Sequence, residues 1–323
     1  MTLHVRTLSE REALNALNLA DAKSALRSAF AGLATGSTVQ PAQTVTVFPD
    51  DRGDCIFYPG VLHDLDLVGV KLSPYIAQKA AAGDSPVTAY TLLLSASTGE
   101  PVLLVDSLAL TTARTAATTA LAVDHLAAPD ARRLALIGSG SVALEHLRHL
   151  TADRDWDAIT IYSPSLVSAA QDPSAEDSTA DTAARLATIT AIAPHATVAK
   201  SAAEAVAGAD VVLLCTSSGQ PVIDLADITP GALITSISTN SKNAHEIDPS
   251  ALAELDVYCD YRATATVTAG EMILAAENGW SADAIVADLS ELIGGHSPDT
   301  SRTRFFRSTG LGIEDLAIAS LLR

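Results

Sequence analysis

The residues best placed to do chemistry are small ones at fixed spacing. In LALIGSGSVALEHL, Leu134 to Leu147, the residues Gly138, Gly140 and Ala143 follow an apolar run and open a helix-like one, in the order G-x-G-x-x-A. A first glycine permits the tight turn. A second leaves room for pyrophosphate against the backbone, and a small third residue lets helix and strand pack closely. Backbone N–H groups around Ser139, Ser141 and Val142 would then face the phosphates at the helix start. The chemistry implied is the binding of a dinucleotide, NAD or NADP. The following strand ends at IYSPS, where an acidic residue would accept hydrogen bonds from the adenosine ribose. Ser163 and Ser165 stand there instead, neutral and compatible with a 2′-phosphate, but no arginine lies nearby to clamp one. The choice between NAD and NADP stays open.

Such a turn must be carried by a parallel sheet, and the surrounding sequence supplies one. RRLALIGSG, AITIYS, ATVAK, DVVLLCTSS and ALITSIST are apolar runs separated by amphipathic helical stretches. Strands buried on both faces, alternating with helices, predict a doubly wound parallel sheet. Upstream the texture differs. TVTVFP, CIFYPGVL, LVGVKLS, VTAYTLLLSA and PVLLVD are short strand-like runs punctuated by PDDRGD, AAGDS and STGE, which predicts an antiparallel or mixed sheet. Before them, a Ser9-to-Glu12 cap opens helical periodicity that Gly32 and Gly36 are expected to stop. After them comes the long Ala/Thr-rich helix SLALTTARTAATTALAVDHLA. SAAQDPSAEDSTADT is read as a loop before a helix. In the tail, FFRSTGLGIEDLAIASLLR, a Gly-x-Gly leads into a helix taken as a return to the N-terminal layer.

Composition sets the outer bounds. At 323 residues the chain can form one large domain or two moderate ones. Aromatics are 4%, so its core must be built from Ala, Val, Leu and Ile. A net charge of -18 argues against a nucleic-acid partner, and an anionic substrate would need a local basic pocket. Cys55, Cys215 and Cys259 are widely spaced without a CxxC, so no disulfide framework or zinc cage is read. The start, MTLHVRTLSEREAL, has no apolar signal core, and no long apolar run suggests a membrane span. A cytoplasmic protein is expected.

LLVDSLALTTARTAATTALAVDHLA, then LALIGSGSVA, and much later RSTGLGIEDLAIA, resemble the ornithine cyclodeaminase/mu-crystallin family over nearly the whole chain. The resemblance implies a Rossmann-type sheet (121–300) inserted into a discontinuous α+β substrate and dimerisation domain (1–120 and 301–323). It also implies homodimers, and chemistry at an amino or imino carbon next to a carboxylate. Carried over by position, Lys71 matches the substrate-binding and catalytic lysine, and Arg114 matches the arginine that holds the substrate carboxylate. Thr115 would lie beside the cofactor, while Thr216, Ser308 and Thr309 fall where the family contacts cofactor and substrate.

Elementary chemistry agrees. Arg114 and Lys71 are charges in apolar surroundings, and such charges need partners. Arginine offers a planar fork for a carboxylate, and a desolvated lysine can move a proton to or from nitrogen. The plainer alternatives are a surface Lys71 on an edge strand, and an Arg114 paired structurally with a residue such as Asp106.

Three departures from the family matter. Gln43 stands where an arginine usually shares carboxylate binding, and Val142 follows Ser141 where a glutamine is common. Asn240 replaces the aspartate that ornithine cyclodeaminases use to activate amine or water. Asparagine can orient a group but cannot accept a proton, which favours hydride delivery to an imine over deaminating cyclisation. Glu145-His146-x-x-His149 is not HExxH and is read as a solvent face, so no metal site is assigned. His245 and Glu246, just after Asn240, are loop polar residues that could line the pocket. The reading is an NAD(P)H-dependent reductase of small α-imino acids (ketimine, iminosuccinate or pyrroline-2-carboxylate type), reversible as an amino-acid dehydrogenase. The alternatives are an ornithine cyclodeaminase with tightly bound NAD, and a non-enzymatic, crystallin-like cofactor-binding protein.

Overall fold

The computed structural model describes residues 5–83, 85–171, 180–238 and 243–323. Two compact units emerge, one from Met1–Thr118 with Gly310–Arg323 and the other from Thr119–Thr309. Among the described residues, no helix is long and apolar enough to cross a membrane.

In the first unit the short strand-like runs form a sheet. Its strands are β1 (Arg6–Leu8), β2 (Thr38–Val39), β3 (Thr44–Val47), β4 (Gly53–Leu62), β5 (Leu67–Ile76), β6 (Tyr90–Ser95) and β7 (Pro101–Asp106). They run in the order β1-β7-β6-β5-β4-β2, with β3 also paired to β4. The β4 to β7 pairings are antiparallel and β1 joins β7 in parallel, which makes the sheet mixed. Register places Tyr58 opposite Lys71 and Lys71 opposite Thr91, so these three stand in a row across β4, β5 and β6. The C-terminal helix Gly312–Ser320 packs on β4, β5 and β6 and on the helix Leu19–Thr35. Its backbone approaches β4 closely: a Cβ on Gly312 would lie 2.0 Å from the Pro59 carbonyl oxygen.

The expected N-terminal helix is two helices, Glu10–Ala16 and Leu19–Thr35. Asn18 breaks them, since its side chain accepts from the Ala20 and Asp21 amides at 2.8 and 3.3 Å and so starts a new helix. Ser9 and Glu12 form the expected capping box. Gly36, at φ +79, ends the second helix, whereas Gly32 lies inside it.

The second unit is an eight-stranded parallel sheet. Its strands are β8 (Arg133–Ile137), β9 (Ala158–Tyr162), β10 (Thr197–Val198), β11 (Val211–Leu214), β12 (Leu233–Ser236), β13 (Asp256–Cys259), β14 (Ile285–Asp288) and β15 (Arg304–Arg307), in the order β10-β9-β8-β11-β12-β15-β13-β14. Strand order reverses between β8 and β11, which is where ligands bind in doubly wound sheets. Its core is built from Ala, Val, Leu and Ile with few aromatics, as composition requires. The tail run FFR is β15, inserted between β12 and β13, so the return to the first unit begins at Gly310 and not near residue 301.

The solvent-face reading of Glu145-His146-x-x-His149 needs correction, because His146 and His149 are 1% and 2% exposed. The His146 ring nitrogens sit 2.7 Å from the Val142 carbonyl and 2.9 Å from Thr119 Oγ1, and burial pushes the ring down to about 4. The spacing carried this signal, since Ala143, His146, Leu147 and Leu150 stand at i, i+3, i+4 and i+7 of the helix Ser141–Asp153, and His149 is buried with them. The loop expected in SAAQDPSAEDSTADT falls mostly on 172–179, outside the described residues, while its first residues belong to the helix Pro164–Gln171.

Candidate active site

In the first unit, β5 and the helix Leu108–Leu126 bring two cations to the same carboxylate. Lys71 Nζ lies 3.0 Å from both oxygens of Asp315, and Arg114 Nε lies 3.1 Å from Asp315 Oδ1. Arg114 Nη1 also meets Glu314 Oε2 at 2.9 Å. Lys71 Nζ stands 4.1 Å from the centroid of the Tyr58 ring and 3.5 Å from Thr111 Oγ1. Lys71 is 1% exposed in the middle of the sheet, so the edge-strand alternative fails. Arg114 pairs with Glu314 and Asp315 of the C-terminal helix, where Asp106 was the alternative.

Gln43 closes the group through its Nε2, which donates to the Gly310 carbonyl at 2.6 Å. Gly310 has φ +80, and a Cβ there would lie 2.3 Å from Arg114 Nη1, so the guanidinium needs glycine at this position. Burial pushes the Lys71 ammonium down to about 8; the Asp315 carboxylate opposes that shift and the Arg114 guanidinium adds to it. Burial likewise pushes the Tyr58 hydroxyl up to about 12. A lysine near 8 can both give and take a proton close to neutral pH.

In the second unit the glycine turn follows β8. Gly138 has φ +118, and a Cβ there would lie 2.3 Å from the Cys215 carbonyl oxygen, so the turn admits glycine alone. At Gly140 nothing lies within 4 Å of the point a Cβ would occupy, which leaves open space beside the backbone. Ala143 is fully buried, and among the described residues no side chain caps the start of the helix Ser141–Asp153, which leaves its first-turn amides for a ligand. Ser139 Oγ donates to Ser163 Oγ at 3.0 Å, tying the turn to the end of β9. The buried Ser308 Oγ, just past β15, finds no hydrogen-bond partner among the described residues. Open space, uncapped amides and an unsatisfied hydroxyl fit a dinucleotide.

The remaining expected residues are scattered. Thr115 lies on the helix Leu108–Leu126, its Oγ1 donating to the Thr111 carbonyl at 2.7 Å. Thr216 follows β11, and both its amide and its hydroxyl donate to Glu246 Oε1 at 2.7 Å. Thr309 Oγ1 donates to Asp260 at 3.0–3.1 Å. Asn240 lies outside the described residues. Sequence reasoning missed Glu314 and Asp315 as partners of the two cations. The available signal was a Glu-Asp pair opening an otherwise apolar helix, since buried charges occur in compensating sets.

A family model described as "Ornithine cyclodeaminase/mu-crystallin family" matches residues 4–323. The NAD(P)H-dependent anabolic L-arginine dehydrogenase of Pseudomonas aeruginosa is 48% identical over 318 residues, covering 98% of this chain and 95% of that protein. Mouse ketimine reductase mu-crystallin is 26% identical over 288 residues, covering 89% and 85%. The Δ1-pyrroline-2-carboxylate reductase of Thermococcus litoralis, solved with NADH and L-proline, superposes with a TM-score of 0.86 at 23% identity, covering 98% and 95%, a likeness of fold. The chain belongs to the ornithine cyclodeaminase/mu-crystallin family.

Proposed function

We propose that this protein is an NAD(P)H-dependent reductase of α-imino acids that runs in reverse as an amino-acid dehydrogenase. The observation that carries this reading is the convergence of Lys71 and Arg114 on one buried carboxylate. An ammonium and a guanidinium that already hold one carboxylate between them are the groups that would hold the carboxylate of an amino or imino acid.

Arg114 takes the substrate carboxylate with its planar fork, with Gln43, Lys71 and Thr309 assisting. Lys71 supplies the proton that keeps the imine electrophilic and recovers it in the reverse direction. Thr115, Gly138, Ser139, Gly140, Ser141, Val142, Ser163, Thr216 and Ser308 hold the dinucleotide, and Asn240 orients a reacting group. When bound, the nicotinamide supplies the hydride for the α carbon. The P. aeruginosa relative supports a guanidino side chain on the substrate, so the amino acid proposed is L-arginine or a close basic analogue.

The test is oxidation of NADH and NADPH by purified protein with ammonia and a panel of 2-oxo acids, plus pyrroline-2-carboxylate. Fastest turnover is expected with the guanidino oxo acid. Ornithine turned into proline without net cofactor oxidation would mean a cyclodeaminase, and cofactor binding without turnover would mean a crystallin-like binding role. The homodimer expected from the resemblance stays within this proposal, and light scattering on the same sample reads it against the 33.3 kDa of one chain.

A further inference from the structure

Glu246 is fully buried at 0% exposure, and among the described residues its carboxylate is held by neutral donors. Its Oε1 accepts from the Thr216 amide and hydroxyl, both at 2.7 Å. Its Oε2 accepts from Ser236 Oγ at 2.7 Å and from the Ser238 amide at 2.9 Å. Four donors converge on two oxygens, an arrangement that an ionised carboxylate satisfies and a carboxamide, with its own N–H groups, does not.

Thr216 lies just past β11, Ser236 ends β12 and Ser238 lies just beyond it. One side chain therefore pins the carboxyl ends of two adjacent parallel strands. The tie reaches a third, because Arg307 Nη1, at the end of β15, donates to Ser236 Oγ at 3.3 Å. Arg307 Nε is in turn 3.0 Å from Glu271 Oε1.

These strand ends lie beside β8, whose own carboxyl end carries the glycine turn. In open parallel sheets the ligand lies across the carboxyl ends from the switch point. A dinucleotide held by the turn after β8 would place its other half toward the ends of β11, β12 and β15. Two features mark those ends as facing a ligand. Among the described residues, nothing hydrogen-bonds the buried Ser238 Oγ and Ser308 Oγ there. Ser238 also holds a left-handed backbone, φ +38, unusual for a residue with a side chain, and its amide is one of the four groups Glu246 fixes.

We propose that Glu246 is a positioning residue for the nicotinamide half of the dinucleotide, holding the ends of β11 and β12 in the arrangement that half requires. The proposal rests on the dinucleotide-dependent reading above. Its test uses binding, in the full chain, of NADH, NADPH, ADP-ribose and 2′-phospho-ADP-ribose, the last two lacking nicotinamide. In Glu246→Gln the affinity for the preferred dinucleotide should fall about tenfold, as expected when one strong acceptor is replaced by a donor, with the matching ADP-ribose compound changing less than about twofold.

Equal losses for both ligands, or no loss for either, would overturn it, because a purely structural staple does not distinguish the two halves. Should Glu246→Gln fail to fold, Ser236→Ala should show the same inequality at about threefold, and equal changes there would overturn the proposal as well. A parent protein that binds neither dinucleotide overturns the cofactor reading and this proposal with it. That outcome is distinguishable, because failure of the proposal alone leaves the parent's binding intact.

Discussion

The Lys71 ammonium stands between two demands. Burial favours the neutral amine and the Asp315 carboxylate favours the ion, and the balance lies at about 8, below the ordinary 10.5. Between those two values the unfolded chain binds more protons than the folded one. This group's contribution to stability therefore rises with pH across roughly 8 to 10.5, and its penalty is complete below about 8. For catalysis the sign depends on direction. In the role proposed for Lys71 the ammonium is the donor in reduction, so that rate should fall as pH rises through about 8. Oxidation of the amino acid needs the amine as acceptor, so its rate should rise through the same region. Rate profiles in both directions check this, and two profiles that bend the same way near 8 would remove Lys71 from proton transfer. The isolation of Lys71 and Arg114 among apolar neighbours was legible in the sequence. Their convergence on Asp315 was not, because the three residues come from β5, the helix Leu108–Leu126 and the C-terminal helix, and only the packing of that helix onto the sheet joins them.

Among the elements, the turn after β8 separates two roles for glycine. At Gly138 the backbone requires it: φ is +118, and a Cβ would strike the Cys215 carbonyl at 2.3 Å. At Gly140 the backbone is ordinary and the surrounding space is open, so a demand for glycine there would come from the ligand proposed above. Gly138→Ala should therefore lower stability by about 1–3 kcal/mol or more and weaken dinucleotide binding. Gly140→Ala should leave the melting temperature within about 1 °C while weakening the dinucleotide at least about tenfold. Thermal melting and a binding titration on the two variants decide it, and a Gly140→Ala protein that binds like the parent would show that no phosphate approaches this backbone. Such an alternation of apolar strands and helices is a strong sequence signal, which is why β8, β9, β11 and β12 were legible. The strand β15 was not, since FFR is short, flanked by arginines and distant in sequence from the strand beside it. Nothing local distinguishes a final central strand from the start of the tail.

At the scale of the molecule, the connectivity is asymmetric. The unit Thr119–Thr309 is continuous, whereas Met1–Thr118 is completed by Gly310–Arg323. A chain ending at Thr309 keeps every strand of both sheets and loses the helix Gly312–Ser320. Leu311, Ile313, Leu316 and Ile318 go with it, all at 0% exposure. At about 2–5 kcal/mol for each large aliphatic side chain, the loss is on the order of a domain's whole stability of about 5–15 kcal/mol. Electrostatics adds to this, because Lys71 and Arg114 would keep their positions in the sheet and helix without Glu314 and Asp315 to neutralise them. The second unit retains its sheet order, glycine turn and core. Hydrogen exchange on the shortened chain should thus show β4 to β7 unprotected and β8 to β15 protected, with dinucleotide affinity within about tenfold of the full chain. Protection retained in β4 to β7 would mean that the first unit does not depend on its C-terminal helix, and the buried charge cluster would then have to be stable with half its members gone.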